Sequence, residues 1–138
     1  MVIRPALLYG AKCGPIKRSH IQGTRVAEMR MIHWICGHMR LDKIRNEVIK
    51  GKIRVASIEN KIREVRLRWF GHISRRNMDT PVRRCERIEL PEYRRSRGRP
   101  NNSWGEVTRH DLKTLGLVED MAQDRRLLRS RIKFLDFR

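Results

Sequence analysis

Positive side chains outnumber negative ones by more than two to one along this chain, and that imbalance limits how compactly it can fold. Lysine and arginine together number 33, aspartate and glutamate 15, so the formal net charge is +18 in 138 residues. Charges of one sign repel one another in a compact state, and a polyanion that screens them relieves the repulsion. Hydrophobic residues make up 39% of the chain and charged residues 35%. The sequence therefore predicts a thin core of low stability and favours nucleic acid as a partner.

An anionic membrane surface would also attract such a chain, so the arrangement of its charges and apolar residues has to decide. The cations are spread almost evenly, and no stretch approaches the ~18 consecutive apolar residues that a membrane span needs. Three widely spaced cysteines, Cys13, Cys36 and Cys85, suggest no disulfide framework and are expected to be buried thiols in a reducing compartment. We expect no membrane partner and a location in the nucleus or cytoplasm.

Apolar residues recur at helical spacing in three stretches of residues 24–79. Thr24 is a candidate N-cap for a first helix that ends near residues 37–40. A short second helix is predicted from Asp42 to Lys50, with Gly51 as its stop. Ser57 can cap a third, whose apolar stripe comprises Ile58, Ile62, Val65, Trp69 and Ile73.

The second half of the chain begins with a segment rich in proline and arginine. Residues 80–102 contain three prolines and are predicted to form an irregular basic arm. Ser103 and Glu106 match a capping box, so a fourth helix should begin there and stop at Gly116. A last helix is expected from Leu117 or Val118 onward. The predicted fold is all-α, four to five short helices with a basic irregular arm, divided into residues 1–23, 24–79, 80–102 and 103–138.

Several motifs occur in one order along nearly the whole chain: Glu28-Met29-Arg30-Met31, Asp42-Lys43-Ile44-Arg45-Asn46, Arg66-Leu67-Arg68-Trp69-Phe70-Gly71-His72, Pro81-Val82-Arg83-Arg84-Cys85, Arg97-Gly98-Arg99-Pro100, Trp104 and Asp124-Arg125. This series resembles the region that follows the reverse transcriptase domain in polyproteins of LINE-class (non-LTR) retrotransposons, particularly those of plants. The resemblance implies that residues 1–23 are the end of the polymerase thumb. It also makes Met1 an internal methionine, which argues against a transit peptide in the acid-free first twenty residues.

The chain departs from that family at three positions and in its tail, Phe134-Leu135-Asp136-Phe137-Arg138, which has no counterpart there. Lys12 stands where the family usually has an acidic residue, Gly14 where it has a tryptophan, and Leu128 where a tryptophan follows Asp124-Arg125. These changes suggest a decayed copy.

Polymerisation requires two metal ions held by carboxylates. The family that the chain resembles supplies them from a Tyr-x-Asp-Asp turn and an earlier aspartate, and no adjacent pair of aspartates occurs here. Asp120 and Asp124 are four residues apart, but the favoured interpretation is that they complement a helix dipole. We therefore predict no enzymatic activity for this fragment, with no catalytic residues, no cofactor and no small-molecule substrate.

A zinc site is the next possibility, because His33, Cys36 and His38 lie close together. A structural zinc site needs four ligands in paired clusters, and no partner pair follows these residues. The favoured interpretation is that they face a small core, so no metal site is predicted.

Two basic regions are candidate nucleic-acid surfaces. In the arm, Arg97-Gly98-Arg99-Pro100 either enters an A·T minor groove or is part of a solvated linker, and composition favours the linker. On the third helix, arginines surround Trp69, which either stacks on a base or packs in the core, and packing is favoured. The predicted binding residues are Arg63, Arg66, Arg68, Arg75 and Arg76 on or just after the helix, and Arg94, Arg95, Arg97, Gly98 and Arg99 in the arm.

These observations suggest a non-catalytic C-terminal fragment of a retrotransposon RNA-directed DNA polymerase, which binds RNA or DNA largely without sequence preference through release of counterions. The alternative is a degenerate remnant with no independent function, which binds polyanions only because it is cationic. A third possibility, a basic structural protein of a ribonucleoprotein particle, does not explain the ordered motifs.

Overall fold

The computed structural model describes residues 8–14, 16–53, 56–86, 88 and 103–134, and all regular structure within these ranges is helical. The predicted all-α class is confirmed. The described ranges contain six α-helices, more than the four or five expected: α1 Arg18–Ile35, α2 Asn46–Ile53, α3 Ile58–Ser74, α4 Pro81–Glu86, α5 Trp104–Thr114 and α6 Arg125–Ile132. Two short 3-10 turns, Arg40–Asp42 and Glu119–Ala122, precede α2 and α6.

Helix α3 is the centre of the fold, and α1, α5 and α6 pack against it. Its start is as predicted, because the Ser57 hydroxyl accepts a hydrogen bond from the Asn60 backbone N–H at 3.3 Å. Leu67 is fully buried although it lies off the predicted stripe, while Val65 and Trp69 on the stripe are only partly buried. A helix with neighbours on several sides buries more than one stripe.

The apolar interior formed by the described residues is divided into three clusters. The largest joins α3, α5 and α6 and contains Leu67, Leu112, Leu117, Ala122, Leu128 and Ile132. The two smaller clusters contain Ala11 with Ile58 and Ile62, and Met29 with Ile32 and Ile49. Because no single core collects all the apolar side chains, the structure agrees with the thin core that the charge balance predicts.

Helices α3 and α6 approach each other closely at Gly71. A Cβ atom built on Gly71 would overlap the Leu128 Cδ2 atom and would lie 3.0 Å from Arg75 Nη1 and 3.7 Å from the Ala122 carbonyl oxygen. Since Leu128 is buried, it has little room to move away. Gly71 has ordinary α-helical backbone angles, so its conformation does not require glycine. Glycine is required here because there is no room for a side chain.

The first helix begins earlier than the sequence predicts. It starts at Arg18, so Thr24 lies within it, and the predicted boundary between residues 1–23 and 24–79 falls inside α1. The Thr24 hydroxyl donates to the His20 carbonyl at 2.8 Å, a bond within the helix, so Thr24 does not cap the start of α1. The predicted end is confirmed, since the helix closes at Ile35 and Gly37 adopts a φ of +71°.

The second helix begins later than predicted. Asp42 ends the 3-10 turn, where its carboxylate accepts a hydrogen bond from the Met39 backbone N–H at 2.7 Å. Helix α2 then starts at Asn46 and continues through Gly51, so that glycine does not stop it. Asp42 does accept a hydrogen bond from a backbone N–H, as predicted for a cap, but that N–H belongs to the 3-10 turn and not to α2.

Residues 80–102 are not wholly irregular, because α4 occupies Pro81–Glu86. Proline suits the first position of a helix, where its missing N–H leaves no bond unmade. The Arg84 N–H donates to the Thr80 carbonyl at 3.0 Å, so Pro81 starts a helix that the prolines of this segment led us to exclude.

The predicted start of the helix near residue 103 is confirmed. The Ser103 hydroxyl accepts from the Glu106 N–H at 3.3 Å, and the Glu106 carboxylate accepts from the Ser103 N–H at 2.6 Å. Gly116, at a φ of +64°, follows the end of α5 as expected. A single last helix from residue 117 or 118 is wrong. Asp124 caps α6 by accepting from the backbone N–H groups of Arg126 and Leu127, which separates the helix from the preceding 3-10 turn.

Replacing Gly71 with alanine should lower the free energy of unfolding by about 1–3 kcal/mol, because the added methyl overpacks the contact with Leu128. Gly23→Ala is the matched control, since Gly23 lies within α1 and a Cβ there meets nothing within 4 Å. That change should stabilise the chain by about 0.5–1 kcal/mol through helix propensity. Urea unfolding followed by circular dichroism measures both, and a stable Gly71→Ala protein would contradict the close approach of α3 and α6.

Candidate nucleic-acid interface

An open cleft of about 800 Å³ lies between α3 and α6, and its walls are strongly cationic. We call it the cationic cleft. It is lined by Lys12, Val65, Arg68, Trp69, His72, Arg75, Arg76, Arg125, Leu128, Arg129 and Ile132. Six of these side chains are lysine or arginine, and none is a carboxylate. Such a concentration of one charge around a concave surface focuses the field and attracts anions.

The α6 wall follows from helical spacing. Arg125, Leu128, Arg129 and Ile132 are three or four residues apart, so they share one face of α6. Leu128 and Ile132 are buried against α3, while Arg125 and Arg129 remain exposed. Neither arginine was among the predicted binding residues, although their i, i+4 spacing on a predicted helix would have placed both on one side.

Arg75 joins the two walls. Its Nη1 atom donates to the Ala122 carbonyl oxygen at 2.5 Å, which ties the end of α3 to the turn before α6. Burial lowers the pKa of Arg75, and the neighbouring charges of Arg125 and Arg129 lower it further. The smaller contributions of Arg125 and Arg129 reflect repulsion among the cations of the cleft, which a bound anion would offset.

Trp69 forms part of the cleft wall. Its ring stacks on His72 with centroids 5.2 Å apart and planes inclined by 22°, and Arg76 Nε donates to His72 Nε2 at 3.4 Å. Trp69 is partly exposed and belongs to none of the three apolar clusters of the described chain. Within the described chain its indole N–H has no acceptor, whereas the N–H of Trp104 donates to the Lys12 carbonyl at 2.9 Å. Trp104 thus holds the Lys12 backbone, whereas the Trp69 donor has no partner among the described residues.

The predicted arginines of α3 divide into two groups. Arg68 lines the cleft and pairs with Glu64 at 2.6 Å, while its own side chain is 54% exposed. Arg75 and Arg76, just beyond the helix, also line the cleft. Arg63 and Arg66 lie elsewhere, where they share one carboxylate of α5.

The expectation that Arg66 lies on a solvent-facing cationic surface is wrong, because its side chain is only 5% exposed. Its Nη1 atom lies 3.3 Å from Asp111 Oδ2, and Arg63 Nε donates to Asp111 Oδ1 at 3.3 Å. Burial lowers the pKa of Arg66, Asp111 opposes that shift and Arg63 adds to it. These two arginines therefore join α3 to α5.

The predicted residues of the arm, Arg94, Arg95, Arg97, Gly98 and Arg99, lie outside the described residues.

The expectation of buried thiols is wrong: Cys13 and Cys85 are exposed, and Cys36 is half-buried. Their sequence spacing gave no information on which elements would cover them.

The histidines near Cys36 contact polar side chains. His33 Nε2 forms a hydrogen bond with Asn46 Oδ1 at 3.0 Å, and His38 Nδ1 lies 3.9 Å from Asp42 Oδ2. In the ranges that the structure describes, no three histidine, cysteine, aspartate or glutamate side chains are grouped so that they could hold a metal ion. Nor does any described helix combine the length and apolar character that crossing a membrane requires.

Asp111→Asn should lower the free energy of unfolding by about 3–5 kcal/mol, because it leaves the buried Arg66 guanidinium without its compensating charge. Glu119→Gln is the control, since Glu119 forms an exposed pair with Arg109 at 3.9 Å and should contribute less than about 1 kcal/mol. Urea unfolding monitored by circular dichroism compares the two variants. Equal losses would show that the Asp111 pairs are no more important than a surface pair.

Comparisons with known protein families, with curated protein sequences and with solved structures found no match to this chain.

Proposed function

We propose that this chain is the C-terminal fragment of a retrotransposon RNA-directed DNA polymerase polyprotein and that it binds RNA or DNA without catalytic activity of its own. The ordered motifs that resemble the LINE-class polyproteins support the origin. The cationic cleft carries the binding proposal, because it combines six lysine and arginine side chains with no carboxylate on its walls. The proposal places the chain in the nucleus or cytoplasm.

The proposed mechanism is neutralisation of backbone phosphates by the unpaired cations of the cleft. Arg75, Arg76, Arg125 and Arg129 form no ion pair with any carboxylate of the described chain, so binding a phosphate costs them no internal partner. Arg63 and Arg66 are assigned a structural role, since both pair with the single carboxylate of Asp111 and Arg66 is buried. Release of counterions from the nucleic acid then supplies most of the affinity, which should depend steeply on salt.

The competing proposal is a degenerate remnant that binds polyanions only because its net charge is +18. A remnant of this kind would use every exposed cation about equally. A binding module would instead depend on those cations that the fold brings together in the cleft. The two proposals are therefore separated by comparing the affinity that is lost when arginines inside the cleft are replaced with the affinity lost when arginines outside it are replaced.

Arg125 and Arg129 on α6 line the cleft, whereas Arg126 and Arg131 are exposed on the same helix and do not line it. The double change Arg125→Gln with Arg129→Gln should weaken RNA binding about tenfold. It should also reduce the slope of log K against log[salt] by about 1.4, as expected for two lost contacts with a single strand. The double change Arg126→Gln with Arg131→Gln removes the same charge and should have much less effect.

Fluorescence anisotropy with labelled RNA across a salt series measures both quantities. Circular dichroism of each variant verifies that the helices are retained. Equal weakening by the two double variants supports the remnant, and so does release of all nucleic acids at modest salt. Dependence on the cleft pair alone supports the binding module.

The proposed contribution of the arm is tested with duplex DNA. If Arg97 and Arg99 enter a minor groove, their joint replacement by glutamine should abolish any preference for an A·T-rich over a G·C-rich duplex. Arg94→Gln with Arg95→Gln is the matched control, since it removes equal charge from the same arm. Indistinguishable effects of the two changes in the same anisotropy assay would favour the solvated linker.

A further inference from the structure

We infer that the cationic cleft selects single strands and holds one unstacked base against the ring of Trp69 while its arginines bind the flanking phosphates. This inference rests on the proposed function, which it narrows from nucleic acid in general to single-stranded RNA or DNA. It assigns a role to Trp69 that net charge does not imply.

The Trp69 ring lines the open cleft in a partly exposed position. His72 stacks on one of its faces, so a base would stack on the ring surface that His72 leaves uncovered. The N–H of the partly buried Trp104 donates to the Lys12 carbonyl. The Trp69 N–H has no such acceptor in the described chain, so it can donate to a sugar or phosphate oxygen of a bound nucleotide.

The cleft has the dimensions of a small-ligand site. Its volume of about 800 Å³ lies within the range of roughly 300–1,000 Å³ that is usual for pockets that hold small molecules. Val65 gives it a partly exposed apolar side chain beside the indole, whereas Leu128 and Ile132 lie almost fully buried behind the surface. A nucleobase has two apolar faces, so an aromatic ring beside an aliphatic side chain suits it.

The charges of the cleft are placed for the phosphates on either side of such a base. Arg75 and Arg76 follow the end of α3, and Arg125 and Arg129 are on the facing helix. Burial and mutual repulsion lower the pKa of Arg75, so an anion between the two walls would be stabilised there. A sugar–phosphate backbone that crosses the cleft would supply one negative charge per nucleotide.

A duplex cannot satisfy this arrangement, because its bases are stacked inside and only its phosphates and groove edges reach the protein. Extracting a base from a duplex requires that it be unstacked and unpaired, whereas a single strand presents its bases freely. The cleft should therefore bind single strands more tightly than duplexes of the same length. A surface that acted through charge alone would favour the duplex, whose charge density is higher.

The test uses three ligands with the full-length chain: a single-stranded DNA, the same strand with its bases removed, and the duplex. Anisotropy at one moderate salt concentration should show that the intact strand binds about tenfold more tightly than the abasic strand, as expected for one stacked base. Trp69→Leu should remove that difference, and Trp69→Phe should retain most of it. Trp34→Leu is the matched control, since Trp34 is 82% exposed on α1 and should not contribute.

A second measurement covers the case in which Trp69→Leu loses its helices. In Trp34→Phe protein, where Trp69 and Trp104 remain, the intact strand should quench tryptophan fluorescence and the abasic strand should quench it much less. Equal quenching, or equal affinity for intact and abasic strands, overturns the inference but leaves the proposed function standing. If none of the three ligands binds near physiological salt, the proposed function fails first.

Discussion

The contact between Gly71 on α3 and Leu128 on α6 determines how closely the two central helices can approach. Because glycine has no side chain, Leu128 can lie directly over the α3 backbone and join the largest apolar cluster. The same contact sets the positions of the cations on both helices. Arg75 and Arg76 then face Arg125 and Arg129 across a cleft, an arrangement that none of these residues would favour by itself.

The balance of energies explains why this arrangement is stable. Burying Leu128 and Ile132 contributes roughly 1.5–3 kcal/mol for each side chain. Two like charges about 4 Å apart repel each other by about 1 kcal/mol in water, and salt reduces that further. Apolar packing therefore opposes the repulsion between neighbouring cations. Arg75, Arg76, Arg125 and Arg129 line one cleft without a carboxylate partner in the described chain, whereas Arg68 pairs with Glu64.

Helix starts could be predicted from the sequence where residues close together in the chain determine them. Ser57 and the Ser103–Glu106 capping box marked two helix starts correctly, because the hydrogen bonds of a cap involve only residues three positions apart. Thr24 and Gly51 failed for an equally physical reason. A threonine hydroxyl inside a helix can donate to the carbonyl four residues earlier, as Thr24 does. A glycine ends a helix only where its backbone adopts the left-handed conformation, and Gly51 remains helical.

Which arginines would share the candidate site could not be read from the sequence, because it depends on contacts between distant segments. Arg66 and Arg68 are two residues apart on α3, and nothing in the sequence distinguishes them. In the fold, Arg66 pairs with Asp111, whereas Arg68 lines the cleft. Arg125 belongs to a different helix from Arg75, and only the packing at Gly71 brings them into one cleft. A net charge of +18 thus describes how strongly the chain attracts polyanions. Which of its cations share one concave surface depends on the packing, which places Arg75, Arg76, Arg125 and Arg129 in the cleft that Trp69 lines.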